Sequence, residues 1–290
     1  MIKALMEKLQ FPAEAVEHLD GCLDKMLKTD GAMSEMYKAM DHFFGLMNDA
    51  DFNLHLDTVS QASGIHRYTV DMIYVLLCAK PLRYIYNSKG YGEEMFLETM
   101  VDTRYKLIEC KKLHGIWGTF VISWYRNFFT LDRFKLGRLQ FDRCKNYLGA
   151  HEGYLEAGET IISCHIPSSG PLDTEEAKES LRQVYRLHKD MAKDGKLKVV
   201  CHSWLLFTDL VNKLPENSNI RKFHDLFQIV HTHENPSNGD FWRIFYKQYR
   251  EGITDEIVPE GSLQKTVLEH MKAGGTIGGG LGIIYVDENY

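Results

Sequence analysis

A short apolar strand followed by a turn, a helix and a second strand constrains the fold of this chain more than any other segment. Residues 161–166 (IISCHI) are predicted to form the first strand, and residues 167–172 (PSSGPL) form the turn. The helix is predicted over 174–191 and the second strand over 197–204. Ligands collect at the carboxyl ends of strands connected in this order. We therefore expect any chemistry to lie where these two strands end.

The hydrophobic period divides the rest of the chain. With 290 residues, 44% of them hydrophobic, the chain is long enough to bury a sizeable core. Up to about residue 130 the apolar residues recur at helical spacing, whereas strand alternation begins near residue 136. The pattern predicts a helical domain over 1–135 and a second domain of strands and helices over 136–290.

Composition excludes several function classes. The formal net charge is −6 and no basic block is present, which disfavours a nucleic-acid or membrane partner and favours a small-molecule substrate. There is no signal peptide and no apolar run of about 18 residues, so we expect a cytoplasmic protein. The six cysteines form no C-x-x-C pair, which indicates reduced thiols, with neither a disulfide framework nor a cysteine metal site.

Several segments resemble a known family. They are similar, in chain order, to signature segments of bacterial two-domain acyltransferases, which have a helical N-terminal domain and a GNAT-like C-terminal domain. The resemblance implies an α/β fold in which an all-helical domain precedes a GNAT-like mixed sheet flanked by helices. It also implies an N-acyltransferase whose co-substrate is acyl-CoA, such as acetyl-CoA. The similar segments are 136–141 (LGRLQF), 165–172 (HIPSSGPL), 201–206 (CHSWLL), 214–220 (LPENSNI) and, in the helical half, 96–102 (FLETMVD) with Trp124.

The resemblance also implies a donor site. In GNAT-type folds two parallel strands splay apart, pantetheine pairs with a freed strand edge, and the pyrophosphate lies on N–H groups at the following helix start. The corresponding strands here are 160–166 and 197–204. Pro167 and Pro171 have no N–H, so other backbone amides of the turn remain as donors. The predicted cofactor-binding residues are Ser168, Ser169, Gly170 and Leu172.

Acyl transfer to an amine needs a base and a donor to the developing oxyanion. His202 is the first choice for the base, because it lies near a strand end and imidazole titrates close to neutral pH. A buried histidine bonded to backbone is the alternative, and His165 has the same two interpretations. Cys201 and Ser203 lie on the opposite face of the strand. Cys201 is either a nucleophile or a small buried hydrophobe, and direct attack without a covalent intermediate is expected.

Two polar residues of the strand near 139–145 are candidates for substrate binding. Gln140 and Asp142 share one face of this predicted half-buried strand. We predict that they contact a polar acceptor, which is a small-molecule amine or a peptide. An ordinary surface or ion-pair role is the alternative.

A metal-dependent enzyme is a second hypothesis. His231 and His233 are spaced to point to one face of a strand, which suits a pair of metal ligands. Glu234, His202 or His165 would complete the site.

A non-catalytic binding module is a third hypothesis. The helix after the turn opens with Asp173, Glu175 and Glu176. These carboxylates already complement the helix dipole and would repel a pyrophosphate. In this interpretation the GNAT-like sheet no longer binds the donor.

Overall fold

The structure is a computed structural model that describes residues 2–45 and 48–290. It contains two compact units, one extending to Phe134 and the other starting at Lys135. Positions 1, 46 and 47 of the predicted helical domain lie outside the described residues. The helices of the first unit are α1 (Lys3–Lys8), α2 (Ala13–Leu27), α3 (Ala32–Ala39), α4 (Asp49–Ser63), α5 (Arg67–Ser88), α6 (Gly92–Met100), α7 (Asp102–His114) and α8 (Arg126–Phe129).

Helix α5 forms the centre of the first unit. Its residues from Thr69 to Ala79 are all buried, so this helix is enclosed by the others on every side. It continues through Pro81, which removes the backbone hydrogen bond to the carbonyl of Leu77 without ending the helix. The burial of its apolar residues outweighs that local loss.

The first unit also buries ionisable side chains. Asp102 is fully buried and accepts a hydrogen bond from Trp124 Nε1 at 3.0 Å. Burial raises the pKa of Asp71 to about 7, although the adjacent guanidinium of Arg67 acts in the opposite direction. Buried charges need such partners, because an isolated ion loses its hydration.

The second unit is built on a mixed sheet, which confirms the predicted fold class. The strand order is β1-β2-β3-β4-β6-β5. Strands β3 and β4 are parallel, whereas β2–β3, β4–β6 and β5–β6 are antiparallel pairs. The elements are β1 (Arg133–Leu136), β2 (Leu139–Lys145), β3 (Thr160–His165), α9 (Thr174–Leu187), β4 (Leu197–Ser203), α10 (Thr208–Val211), α11 (Asn219–His224), β5 (Gln228–His233), α12 (Phe241–Phe245), α13 (Ser262–Lys272) and β6 (Gly279–Val286).

The glycine-rich run over 274–280 connects α13 to β6 and includes the start of β6. Its last two glycines, Gly279 and Gly280, are the first residues of β6. A Cβ at Gly280 would lie 1.9 Å from the carbonyl oxygen of Leu206, and one at Gly278 would lie 2.3 Å from that of His233. These glycines allow β6 to pass close to neighbouring backbone. In the described part of the chain no helix is both long and apolar enough to cross a bilayer.

Candidate functional site

The predicted polar residues of three strands share one face of the sheet. Gln140 of β2 pairs with His165 of β3, and Asp142 pairs with Ser163. Ser163 in turn pairs with Val200 of β4, which lies two residues before His202. Directly paired residues and residues two apart point to the same face. The sheet therefore brings Gln140, Asp142, His165 and His202 together on one surface.

The parallel ladder between β3 and β4 stops at this surface. Its last pair is Cys164 with Cys201, although β3 continues for one more residue and β4 for two. Beyond that pair, β4 remains hydrogen-bonded to β6 through His202 and Ser203. The edge of β4 that faces β3 is thus released from the ladder where the two histidines lie.

His165 is oriented by a buried carboxylate. Its Nε2 lies 3.0 Å from Asp142 Oδ2, and Asp142 is only 3% exposed. Gln140, in register with His165, is 1% exposed, and its Nε2 has no hydrogen-bond partner among the described residues. The prediction of a half-buried β2 is wrong at this end of the strand, because Gln140 and Asp142 are buried together with Leu139 and Phe141.

His202 lies beside other histidines instead. Its ring stacks on that of His233 with centroids 5.3 Å apart, and His231 follows at 6.0 Å from His233. Partial burial, and secondly the neighbouring His233, lower the pKa of His202, although the residue keeps an exposed surface. A smaller opposing effect comes from Asp240. The structure thus joins His202 to the two histidines that the metal hypothesis singled out.

This histidine cluster does not form a metal site. Within residues 2–45 and 48–290, no group of three or more His, Cys, Asp or Glu side chains is placed to hold a metal ion. The imidazoles of His231 and His233 stack face to face at 16°, whereas ligands of one ion must converge on it. The metal-dependent alternative gains no support from this arrangement.

The turn after β3 is held from inside by Arg138, which is buried. Its guanidinium donates to the carbonyl oxygens of Pro167 (2.9 Å), Gly170 (2.9 Å) and Pro171 (2.8 Å). The peptide bond between Pro171 and Leu172 is trans, so its C=O and N–H point in opposite directions. Because Arg138 binds the carbonyl of Pro171, the N–H of Leu172 points away from Arg138.

Gly170 lies at the open side of this turn. It has φ +109°, and a Cβ added there would meet nothing within 4 Å. Ser168 is exposed, Ser169 is half-buried and the side chain of Leu172 is buried. Among the described residues, the backbone N–H groups of Ser169, Gly170 and Leu172 donate no hydrogen bond.

The start of α9 is occupied by its own cap. Asp173 Oδ1 accepts hydrogen bonds from the N–H groups of Glu175 at 2.9 Å and Glu176 at 3.1 Å. This cap removes two of the helix N–H groups from any ligand. The amides of the preceding turn are not used by this cap.

The opposite face of β4 holds the remaining predicted residues. Cys201 is fully buried. Burial, and secondly a hydrogen bond with Cys201, raise the pKa of Cys164. Ser203 Oγ accepts from the N–H of Leu205 at 3.2 Å and so caps a short 3₁₀ helix. The sheet therefore separates Cys201 and Ser203 from the four residues of the polar face.

Comparison with known families gives two matches that follow one another along the chain. The family described as N-acyltransferase N-terminal domain matches residues 1–131, and the family described as GNAT-like C-terminal domain matches residues 133–284. The chain belongs to the two-domain N-acyltransferases. This confirms the family predicted from the sequence segments. None of the curated proteins matches the chain.

Solved structures of acyltransferases share the fold of this N-acyltransferase. One, in complex with decanoyl-CoA, has a TM-score of 0.73 at 19% identity and covers 97% of this chain and 86% of its own. A second, in complex with decanoyl-CoA and teicoplanin, has a TM-score of 0.72 at 18% identity, with 97% and 86% covered. A third, with CoA and 10C-teicoplanin, has a TM-score of 0.65 at 16% identity, with 98% of both chains covered.

Sequence reasoning missed Arg138 in this N-acyltransferase. The residue lies inside the similar segment 136–141, but the carbonyls that it binds are 29 to 33 residues further along the chain. Sequence carries only a weak signal for it, namely an arginine next to Gly137 at the start of a buried strand. A buried guanidinium needs several acceptors, and a turn with two prolines supplies unpaired carbonyls.

Proposed function

We propose that this protein transfers an acyl group from acyl-CoA to an amine acceptor, with the thioester bound where β3 and β4 separate. The observation that carries the proposal is the end of their ladder at Cys164 and Cys201. It leaves a strand edge with which pantetheine amides can pair. Gln140, Asp142, His165 and His202 border that edge on one face.

We further propose that the pyrophosphate binds the turn and not the start of α9. Asp173 already occupies the first N–H groups of the helix. In the turn, by contrast, Arg138 binds the carbonyls of Pro167 and Pro171, and across a trans peptide this directs the N–H groups of Ser168 and Leu172 away from Arg138. The amides of Ser168, Ser169, Gly170 and Leu172 stay our proposed donors, because successive backbone N–H groups make an anion-binding concavity.

His165 suits the role of general base better than His202. Its ring is oriented by the buried carboxylate of Asp142, as catalytic imidazoles commonly are. In the proposed reaction the amine nitrogen attacks the thioester carbonyl, a C–N bond forms and the C–S bond breaks. The imidazole takes the proton from the amine, and the CoA thiolate leaves and is protonated. Cys201 takes no part, because it is buried on the other face.

Gln140 is proposed as a donor to a polar group of the substrate. Its buried Nε2 has no partner among the described residues, and such a group costs about 1–3 kcal/mol while it is unpaired. A substrate carbonyl placed over His165 would satisfy it. In this proposal Gln140 contacts the substrate directly, and Asp142 acts on it by orienting His165.

The similar structures suggest the class of donor and acceptor. Two of them hold decanoyl-CoA, one of these together with teicoplanin, and the third holds CoA and 10C-teicoplanin. A mutant acyltransferase of similar fold holds octanoyl-CoA. We therefore propose that the donor is a medium-chain acyl-CoA and that the acceptor is an amine on a small molecule such as a glycopeptide. A domain boundary near 135 and a cytoplasmic location remain part of the proposal.

Calorimetric titration of octanoyl-CoA and acetyl-CoA into wild type and Gly170→Glu tests the donor site. We expect Gly170→Glu to abolish binding, because it adds charge at the turn and strains a residue with φ +109°. Gly158→Glu is the matched control, since Gly158 is also exposed, also has positive φ (+71°) and also faces open space. Equal loss in both variants, or no binding by wild type, would contradict the proposed site.

The capped helix favours one competing function, a binding module without catalysis. In that case octanoyl-CoA neither binds nor releases thiol in the presence of any amine acceptor. Release of CoA thiol by wild type, reduced in His165→Ala at unchanged donor affinity, separates catalysis from this alternative.

A further inference from the structure

The first unit contains an apolar cavity between α1 and α5. Its volume is about 230 Å³, and its walls include Leu5, Leu76, Leu77 and Phe96. Three of these four side chains are buried, so the walls belong to the core of the unit. Pro81 cannot donate to the carbonyl of Leu77, so this carbonyl lacks its usual helical hydrogen bond beside the cavity.

The rim of this cavity is cationic. Lys8, Lys80 and Arg83 line it together with the apolar walls. Glu93 pairs with Lys8 at 3.3 Å and also with Arg83, so one carboxylate is shared by two cations. Across the described ranges, 2–45 and 48–290, Lys80 forms no ion pair. Three positive charges against one negative charge leave the rim with two in excess.

We infer that this cavity binds a free medium-chain fatty carboxylate, with the alkyl chain between α1 and α5 and the carboxylate at Lys80. The pocket is open to solvent at its rim, and its volume exceeds the roughly 150 Å³ of closed aliphatic cavities that bind small apolar molecules. The cationic rim selects an anion over an amine or a neutral alcohol. The inference does not depend on the proposed acyl-CoA site.

The affinity of the cavity for its ligand should depend on the length of the alkyl chain and on the negative charge. Each methylene group that leaves water contributes about 0.8 kcal/mol, which corresponds to roughly fourfold in affinity. Octanoate has two more methylene groups than hexanoate and should therefore bind roughly fifteenfold more tightly. Octanol, which lacks the carboxylate, should bind more weakly than octanoate.

Calorimetric titration of octanoate tests the location. Ala4 lines the cavity from an exposed position on α1, so Ala4→Phe fills the space without changing a buried residue. We expect one octanoate per chain for wild type and none for Ala4→Phe. Ala13→Phe, an exposed helical alanine that does not line the cavity, is the control and should bind as wild type does.

The charge is tested in the same titration. Lys80→Glu should weaken octanoate binding several-fold and leave octanol binding unchanged, whereas Lys28→Glu, on the exposed end of α2, should change neither. Octanoate binding that survives Ala4→Phe, or that coenzyme A displaces, places the ligand elsewhere and overturns the inference. Absence of binding by wild type, or equal affinity for octanol, overturns it as well.

Discussion

The polar face of the sheet has two ends that surround histidine in opposite ways. At the β2–β3 end, His165 is half-buried and bonded to the buried carboxylate of Asp142. At the β4–β5 end, His202 is exposed and stacks on His233. The carboxylate fixes the orientation of the His165 ring, whereas partial burial, and secondly His233, lower the pKa of His202. The difference in orientation is the reason why we propose His165 as the general base.

The largest expected effect tests that assignment directly. With octanoyl-CoA and an amine acceptor, His165→Ala should lower turnover by about 10²–10⁴, the usual contribution of a general base. His202→Ala should lower it by less than about tenfold. Thiol release gives the rates, and calorimetry should show unchanged donor affinity in both variants. A greater loss in His202→Ala would reverse the comparison between the two ends.

The β2–β3 end also contains the turn over 167–172, which is hydrogen-bonded to the buried side chain of Arg138. Arg138→Met leaves the carbonyls of Pro167, Gly170 and Pro171 without their donor. We expect the free energy of unfolding to fall by about 3 kcal/mol, because bonds to a charged group contribute about 1.5–3 kcal/mol each and are not additive. Urea denaturation measures this change, and acyl-CoA affinity should fall with it.

Arg143→Met is the matched control for this loop. Arg143 lies on β2, five residues after Arg138, but is exposed, and its guanidinium is 3.6 Å from Asp190. An exposed pair of this kind contributes at most about 1 kcal/mol. Equal destabilisation by the two substitutions would show that the three carbonyl contacts do not hold the loop.

A third test compares one glutamine at each end of the face. Gln140→Leu removes a buried amide without a partner, so stability should rise by about 1 kcal/mol while turnover falls. Gln228→Leu, in β5, removes an exposed amide that bonds Tyr154 at 3.1 Å and should change stability by less than about 0.5 kcal/mol. Thermal unfolding and thiol release are the measurements. A destabilised Gln140→Leu would mean that this amide already has a structural partner.

Sequence patterns predicted the residues of this face but gave His202, and not His165, as the first choice for the base. Alternation and the strand–turn–helix order predicted that His165 and His202 end neighbouring strands, and the ladder places them there. The choice between them depends on Asp142, which is 23 residues from His165 in the chain and reaches it only through the register of β2. The same limit applies to Arg138. Contacts made across strands depend on register. The alternation of one strand specifies which face each residue occupies, but not which residue of the next strand lies opposite it.

The smallest expected effect concerns the electrostatics of the β4–β5 end. Partial burial, and secondly His233, lower the pKa of His202 below its ordinary 6.5. Between the pKa of His202 in the folded chain and its ordinary value of 6.5, the unfolded chain binds more protons than the folded chain. The free energy of unfolding therefore keeps its full value above about pH 6.5 and falls as the pH drops below it. His233→Phe keeps a stacked ring but removes an imidazole that can carry charge, so the pKa of His202 should rise. NMR titration of the imidazole signals measures it, with His18, on α2 of the other unit, as the unaffected reference. An unchanged midpoint would mean that burial alone keeps His202 neutral, and the two ends would then differ only in the presence of Asp142.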